Sequence, residues 1–343
     1  MQASPSLPAA PTPSPKVKPS WLRTNGFILG LVIMVILAFL FPGPGSRHGI
    51  LHAEVINTFG IALILFLQGL SLAFEKIKSG AANWRLHLII QSFTFLIFPI
   101  VGVLLNVVVP WFWPNVPPGI IDGFLYLCVL PSTVSTSVVL TAVAGGNTPG
   151  ALFNAAFSNI LGVLVTPILV HLLMESTGSS QSFGPLLLKI TLLTLLPFAV
   201  GMILRNFTQK WVDAHKPWVN RISNAVILFI VYSAFCDSVE EHIWQKYGLV
   251  LTAKVIVIVL LLFIGMSVLI YGTCQLLKLK RADMIAAYFC SVKKTLAMGV
   301  PLAMLIFGAR DDLSLILLPI MFYHPLQLFI NGLLANHWAK ERA

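Results

Sequence analysis

Long apolar stretches separated by short polar segments run along the chain after residue 20. Several stretches come close to the ~20 residues with which an α-helix crosses the ~30 Å hydrocarbon core of a bilayer. Lipid offers no hydrogen-bond partners to the backbone, so single apolar segments of this length must be helical. We therefore predict ten helices that span a lipid bilayer. The predicted spans are residues 21–41, 54–73, 86–109, 119–144, 151–174, 183–204, 222–236, 249–277, 283–308 and 313–338.

The basic residues between these spans predict their orientation. Fifteen lysines and arginines lie on the side that holds both chain termini, and five lie in or near the loops of the opposite side. Cytoplasmic loops are enriched in lysine and arginine. We expect both termini in the cytoplasm and the protein in the cell (cytoplasmic) membrane.

Ten spans divide into two repeats of five. Because five is odd, the second repeat would enter the membrane in the opposite sense to the first, as inverted repeats do. We predict an all-α polytopic protein with one repeat at residues 21–174 and another at 183–338. Residues 1–20 contain six prolines and predict a disordered cytoplasmic tail.

Polar residues interrupt the fourth span of each predicted repeat, at residues 131–137 and 290–295. Paired interruptions at matching places indicate a binding site near the middle of the membrane. Pro131 removes a helical hydrogen bond, and nearby hydroxyls could pair with the freed backbone groups or with an ion. Alternatively, the hydroxyls bond to carbonyls of their own helix. These hydroxyl residues are Ser132, Thr133, Ser135, Thr136 and Ser137.

Lys293 and Lys294 are the most unusual residues in the apolar spans. Lys293 lies ten residues into the ninth span, ~15 Å along a helix. A lysine at the bilayer centre costs at least ~2.5–3.5 kcal/mol, and no Asp or Glu lies at similar depth. The pair therefore predicts a functional site, unless the span is wrongly placed and the pair marks a loop.

Other polar residues within the spans have two interpretations each. Asn154 and Ser158 share one helix face and would either line a cavity or bond neighbouring helices; Gln91 and Thr94 are equally open. His324 would carry a proton or simply pack. The candidate substrate- and ion-binding residues are Gln91, Thr94, Ser132, Thr133, Ser135, Thr136, Ser137, Asn154, Ser158, Cys290, Ser291, Lys293, Lys294, Thr295, His324 and Gln327.

Composition excludes several classes of function. Charged residues make up 10% of the chain, against about 25% in soluble domains. The net charge of +10 is dispersed between apolar spans, so we expect no nucleic-acid partner. Zinc-protease, hydrolase and P-loop motifs are absent from the sequence, so we expect neither an enzyme nor a cofactor, and no confident metal site.

Several segments together resemble bile acid:sodium symporters, the solute carrier family ten, and most of all its member-seven branch. The resemblance covers nearly the whole chain after the tail. It rests on residues 84–88 (WRLHL), 128–138 (CVLPSTVSTSV), 145–147 (GGN), 152–158 (LFNAAFS), 235–237 (FCD), 289–301 (FCSVKKTLAMGVP) and 323–327 (YHPLQ).

The resemblance implies two groups of helices. Spans three to five and eight to ten would form a core, and spans one, two, six and seven a panel. Spans four and nine would unwind and cross within the core. The two polar interruptions fall where that crossing is expected.

The resemblance also implies possible sodium ligands. The family's first sodium site maps onto Thr136 and Ser137, with a further ligand near Asn154. A ligand of its second site maps onto Thr94, with Gln91 close by.

The family has a glutamate at the crossing, but this chain has no glutamate there. The aligned residue is Cys290 or Ser291. A nearby lysine would repel a sodium ion, which argues against sodium coupling at the first site. The coupling ion is left open as sodium or a proton.

We predict a secondary transporter of a small organic anion that works by alternating access. A cation/proton antiporter is one alternative, although it should carry a midplane carboxylate. A non-transporting regulator of membrane ion homeostasis is another. The sequence leaves the substrate and the oligomeric state open.

Overall fold

A computed structural model describes residues 21–47, 49–71, 80–174, 183–240 and 242–341. The predicted tail at residues 1–20 lies outside this part of the chain. The described residues form helices and no strands. They include seven helices long and apolar enough to cross a membrane, and two shorter apolar helices, Leu29–Leu40 and Pro118–Val129.

We number the described helices in chain order. Helix α4 (Trp84–Phe112) contains a π-helical turn at Phe93–Ile97. The helices are α1 (Trp21–Leu40), α2 (Pro42–Gly45), α3 (Ala53–Ser71), α4 (Trp84–Phe112), α5 (Pro118–Val129), α6 (Ser135–Val143), α7 (Thr148–Met174), α8 (Phe183–Glu240), α9 (Ile243–Leu276), α10 (Arg281–Ser291), α11 (Leu296–Phe307) and α12 (Leu313–Lys340).

Helix α8 is 58 residues long and bends back on itself. Gly201 lies against Phe66 of α3, and Val226 lies against Gly60 of the same helix. A straight helix would separate residues 201 and 226 by ~38 Å, whereas Phe66 and Gly60 are only ~9 Å apart along α3. The helix therefore reverses between Gly201 and Val226.

The reversal changes one prediction from the sequence. Residues 205–221 were expected to form a loop between the sixth and seventh spans, and this expectation is wrong because they are helical. The two segments predicted as spans form the two arms of one bent helix.

Both helices that carry polar interruptions are broken. Helix α5 ends at Val129, and Leu130 is extended with φ −71° and ψ 149° before α6 begins at Ser135. Helix α10 ends at Ser291, and Thr295 is extended with φ −88° and ψ 120° before α11. We call residues 130–134 the first break and 292–295 the second break.

We divide the described helices into two sets by their contacts, while α8 also contacts α7 and α11 of the second set. Helix α3 packs mainly against α8, which also contacts α1 and α2; we call these four helices the panel. Helix α5 packs against α4 and α12, while α10 contacts α6, α7 and α9. These helices and α11 form the core, and the two breaks lie inside it.

Candidate functional site

The two breaks are joined by a backbone hydrogen bond. Thr295 of the second break donates its N–H to the carbonyl oxygen of Pro131 in the first, at 3.0 Å. Both residues are buried. Two non-helical segments therefore meet inside the core, where their backbone groups need partners other than water.

The ammonium group of Lys294 supplies partners for three carbonyl oxygens. Its Nζ lies 2.7 Å from the oxygen of Leu130, 2.9 Å from that of Cys128 and 3.3 Å from that of Thr94. It also lies 4.0 Å from the centroid of the Phe98 ring, within range of a cation–π interaction. Lys294 is 0% exposed, and its three donors are matched by three acceptors.

Two prolines explain why these carbonyls are available. Pro131 has no N–H, and the N–H of Ser132 donates to Ser158 Oγ at 3.2 Å, so Cys128 lacks its helical donors. In the π-turn, the N–H of Phe98 bonds to Phe93. The next residue, Pro99, has no N–H, which leaves the Thr94 carbonyl free.

Helix α7 caps two further carbonyls at the first break. Thr166 Oγ1 donates to Val129 at 2.9 Å, and Asn159 Nδ2 donates to Ser132 at 2.8 Å. Together with Ser158, these side chains hold the break from one side. Neither Thr166 nor Asn159 was among the candidates. Their signal is a polar residue in an apolar span close to a proline break.

Helix α12 holds the second break from the other side. Gln327 accepts from the N–H of Lys294 and donates to its carbonyl, each at 2.8 Å. The hydroxyl of Tyr323 donates to the carbonyl of Val292 at 2.6 Å. His324 Nδ1 lies 3.1 Å from Gln327 Nε2. The predicted residue Gln327 thus fixes the backbone from which the Lys294 side chain extends.

Lys293 is equally buried but differs from Lys294 in its contacts. It is 0% exposed, and its Nζ has no hydrogen-bond partner among the described residues. His324, next to Gln327 on α12, packs edge-on against Phe27 of the panel, with centroids 6.1 Å apart. The two lysines therefore do not share one environment, and neither lies in a surface loop.

Three hydroxyls cluster where helix α6 begins. Thr133 Oγ1 lies 2.9 Å from Thr136 Oγ1 and 3.0 Å from Ser137 Oγ. Ser137 also donates to the carbonyl of Phe289 at 3.1 Å. Thr136 and Ser137 are in the first turn of α6 rather than in the break itself. The side chain of Ser135 lies outside the described part of the structure.

Asn154 belongs to a different group of contacts. Its Oδ1 accepts from Gln91 at 3.2 Å, and its Nδ2 lies 2.8 Å from His87 Nδ1 and 2.9 Å from the Gly150 carbonyl. The family resemblance grouped Asn154 with Thr136 and Ser137. The hydrogen bonds described for Asn154 go instead to α4 and to its own helix.

The remaining candidates lie around the two breaks. Thr94 contributes its carbonyl, because its hydroxyl donates to Ile90 within the helix at 2.8 Å. Cys290 donates to the carbonyl of Ala151 at 3.6 Å. Ser291 Oγ and Ser132 Oγ are buried without a hydrogen-bond partner among the described residues. Unpaired polar atoms thus lie in both helices at or beside the breaks.

Comparison with known proteins identifies the family. The profile of the SBF-like CPA transporter family matches residues 25–340. The chain is 36% identical over 319 residues to YfeH of Escherichia coli (strain K12), provisionally named as a symporter, covering 92% of this chain and 93% of that one. It is 33% identical over 330 residues to sodium/bile acid cotransporter 7 of Mus musculus, covering 93% and 95%. The corresponding protein of Danio rerio is 32% identical over 316 residues, covering 91% and 93%. The chain therefore belongs to the SBF-like CPA transporter family, a family of multi-pass membrane transporters.

Proposed function

We propose that this protein is a secondary transporter that carries a small organic anion across the cell membrane by alternating access. Its family consists of transporters, and several relatives are named as cotransporters. Broken helices that meet in a membrane protein core are typical of substrate and ion sites in secondary transporters. Movement of the core against the panel would expose the breaks to each side in turn.

We further propose ten spans arranged as two inverted repeats, with both termini cytoplasmic. Helices α3, α4, α7, α9 and α12, the α10–α11 pair and one arm of α8 would supply seven crossings. The other arm of α8, helix α1 and the α5–α6 pair would supply three more. The positive-inside distribution of basic residues supports the same orientation.

The choice of an anion rests on the buried ammonium of Lys293, which has no hydrogen-bond partner in the part of the chain that the structure describes. An unpaired charge away from water is costly, so the site favours a ligand that neutralises it. A carboxylate does so through a short charge-assisted hydrogen bond. Gln327 binds the same break at Lys294, and its neighbour His324 contacts the panel at Phe27, so we place Lys293 near the core–panel boundary in this proposal.

Uptake into proteoliposomes tests the proposal. Labelled cholate and smaller carboxylates (acetate, lactate and citrate) would be offered to vesicles that contain the purified protein. We expect saturable uptake of at least one, reduced about tenfold or more in Lys293→Ala, since a charged hydrogen bond contributes ~1.5–3 kcal/mol. Lys254→Ala is the matched control, because Lys254 is an exposed lysine of α9 beside Trp113 and should leave uptake unchanged.

The rival functions predict different results in the same vesicles. A cation/proton antiporter would move sodium against a pH gradient without any carboxylate. A regulator without transport activity would show no flux, with or without carboxylate. Uptake that survives Lys293→Ala undiminished would contradict the role proposed for this lysine.

A further inference from the structure

We propose that Lys294 is a resident cation: its ammonium permanently fills a cation position between the breaks, so no sodium ion binds there. The cation position itself is independent of the proposed function. The consequence for coupling, that transport proceeds without sodium, rests on that function.

The acceptors around the Lys294 ammonium are those of a site for a monovalent cation. They are the neutral carbonyl oxygens of Thr94, Cys128 and Leu130, at 2.7–3.3 Å, with the face of the Phe98 ring behind them. In transporters with discontinuous helices, unwound carbonyls and helix C-terminal ends coordinate sodium. Here the C-terminal end of α5 and the carbonyl freed at the π-turn of α4 coordinate a side chain instead.

The position is built to hold the ammonium in one place. Gln327 binds both backbone groups of Lys294, so the side chain starts from a fixed point. Pro131 and Pro99 withhold the N–H groups that would otherwise occupy two of the three carbonyls. An ammonium held in this way cannot leave and rebind as a coupling ion does.

The neighbouring lysine shows that these contacts are specific to Lys294. Lys293 is equally buried and lies in the same break, yet its ammonium has no partner among the described residues. Placing a lysine at this depth does not by itself produce three carbonyl contacts. Lys293→Ala is therefore a matched control for any variant of Lys294.

Removing the Lys294 side chain should convert the resident site into an exchangeable one. Lys294→Ala leaves the three carbonyl oxygens unpaired around a space the size of the missing propylammonium group. A free cation that enters this space binds only the folded protein and raises its apparent stability. In the wild type the fixed ammonium occupies that space and repels a second cation.

Thermal unfolding of the purified protein in detergent tests the proposal. Midpoints would be measured in choline chloride, sodium chloride, potassium chloride and propylammonium chloride at equal ionic strength. We expect Lys294→Ala to unfold at a higher temperature, by about 2–5 °C, in at least one of the small cations than in choline. For the wild type, and likewise for Lys293→Ala, the unfolding midpoint should not depend on which of the four salts is present.

Two outcomes would overturn the proposal. One is a Lys294→Ala protein that responds to none of the cations; the other is a wild type that sodium specifically stabilises. If Lys294→Ala does not fold, Lys294→Ser opens nearly the same space and should show the same cation response. Sodium-dependent uptake by the wild type would refute the predicted consequence, transport without sodium, while leaving transport itself intact. Absence of all uptake would refute the proposed transport without affecting the stability result.

Discussion

Gln327 forms two hydrogen bonds with the backbone of Lys294, one through the oxygen and one through the nitrogen of its side-chain amide. The amide oxygen accepts from the Lys294 N–H and the amide nitrogen donates to the Lys294 carbonyl, each at 2.8 Å. A neighbouring β-strand would make the same pair of hydrogen bonds to a residue. At the second break, the Gln327 side chain supplies these two bonds in place of a backbone partner. Because the ammonium of Lys294 in turn binds the first break, Gln327 links α12 to both breaks.

Gln327→Leu should therefore destabilise the protein strongly. The change leaves two buried backbone groups unpaired, and each unpaired group costs about 1–3 kcal/mol. We expect a marked drop in the thermal midpoint of the purified protein. Gln68→Leu is the control, since Gln68 makes one part-buried hydrogen bond, from Nε2 to the carbonyl of Ala297. Equal effects of the two changes would contradict the bridging role of Gln327.

Pro99→Ala should weaken the dependence of the fold on Lys294. Alanine at position 99 restores an N–H that can reach the Thr94 carbonyl in the π-turn, which gives that carbonyl a second donor. The loss of stability caused by Lys294→Ala should then be smaller in the Pro99→Ala background than in the wild type.

A double-mutant cycle of unfolding midpoints measures this coupling. Pro110→Ala in the same helix is the control, because Pro110 lies 11 residues farther along α4. Strictly additive effects of Pro99→Ala and Lys294→Ala would contradict the account of the freed carbonyl.

The sequence predicted the two helix breaks better than the contacts between them. Two lysines in an apolar span carry a large free-energy cost and therefore indicate a special role. A proline followed by hydroxyl residues predicts a break. Both features were therefore detectable from the sequence. The difference between Lys293 and Lys294 was not, because adjacent side chains on non-helical backbone diverge in directions that helical geometry does not fix.

Local backbone geometry and contacts between helices account for what the sequence did not predict. The Thr94 carbonyl is free only because Pro99 follows a π-turn, and a π-turn has no clear sequence signal. Thr166 caps the break only because α7 packs beside α5. The loop expected at residues 205–221 is helical, although its charged composition resembles that of a connecting segment.

Arg310 should be essential for the fold at the end of the core where α11 meets α12. Its guanidinium binds Asp312 at 2.8 Å and Asp122 at 2.6 Å, and the Asp122 side chain is only 6% exposed. A hydrogen bond to Asp312 and, to a smaller extent, one to Asp122 raise the pKa of Arg310 above the high value usual for arginine. The guanidinium therefore stays charged at all physiological pH values.

Arg310→Ala would leave Asp122 buried without its partner. We expect a loss at the lower end of ~3–5 kcal/mol, since the arginine itself is partly exposed. Adding Asp122→Asn should restore part of the thermal stability by removing the unpaired charge. A double variant less stable than Arg310→Ala alone would contradict this explanation.

Arg47 ties the panel to the core at the end predicted to face outside. Its backbone N–H donates to Asp237 of α8 at 2.7 Å, and its guanidinium donates to the carbonyl of Gly308 at 2.6 Å and lies 3.7 Å from Asp311. If the panel and core separate to open the outer side, the contacts of Arg47 with Gly308 and Asp311 must break. Arg47→Ala should therefore favour the outward-open state.

Cysteine labelling from outside the cell measures this shift. The four native cysteines are buried, so the background reaction is low. Ser314→Cys places a thiol beside the core–panel contact that Ser314 makes with Ser238 at 2.6 Å. We expect a membrane-impermeant maleimide to label Ser314→Cys several-fold faster when Arg47→Ala is added. Arg281→Ala is the control, because Arg281 pairs with Glu341 within the core at the opposite end. An unchanged rate with Arg47→Ala, or an equal increase with Arg281→Ala, would show that Arg47 does not hold the outer side closed.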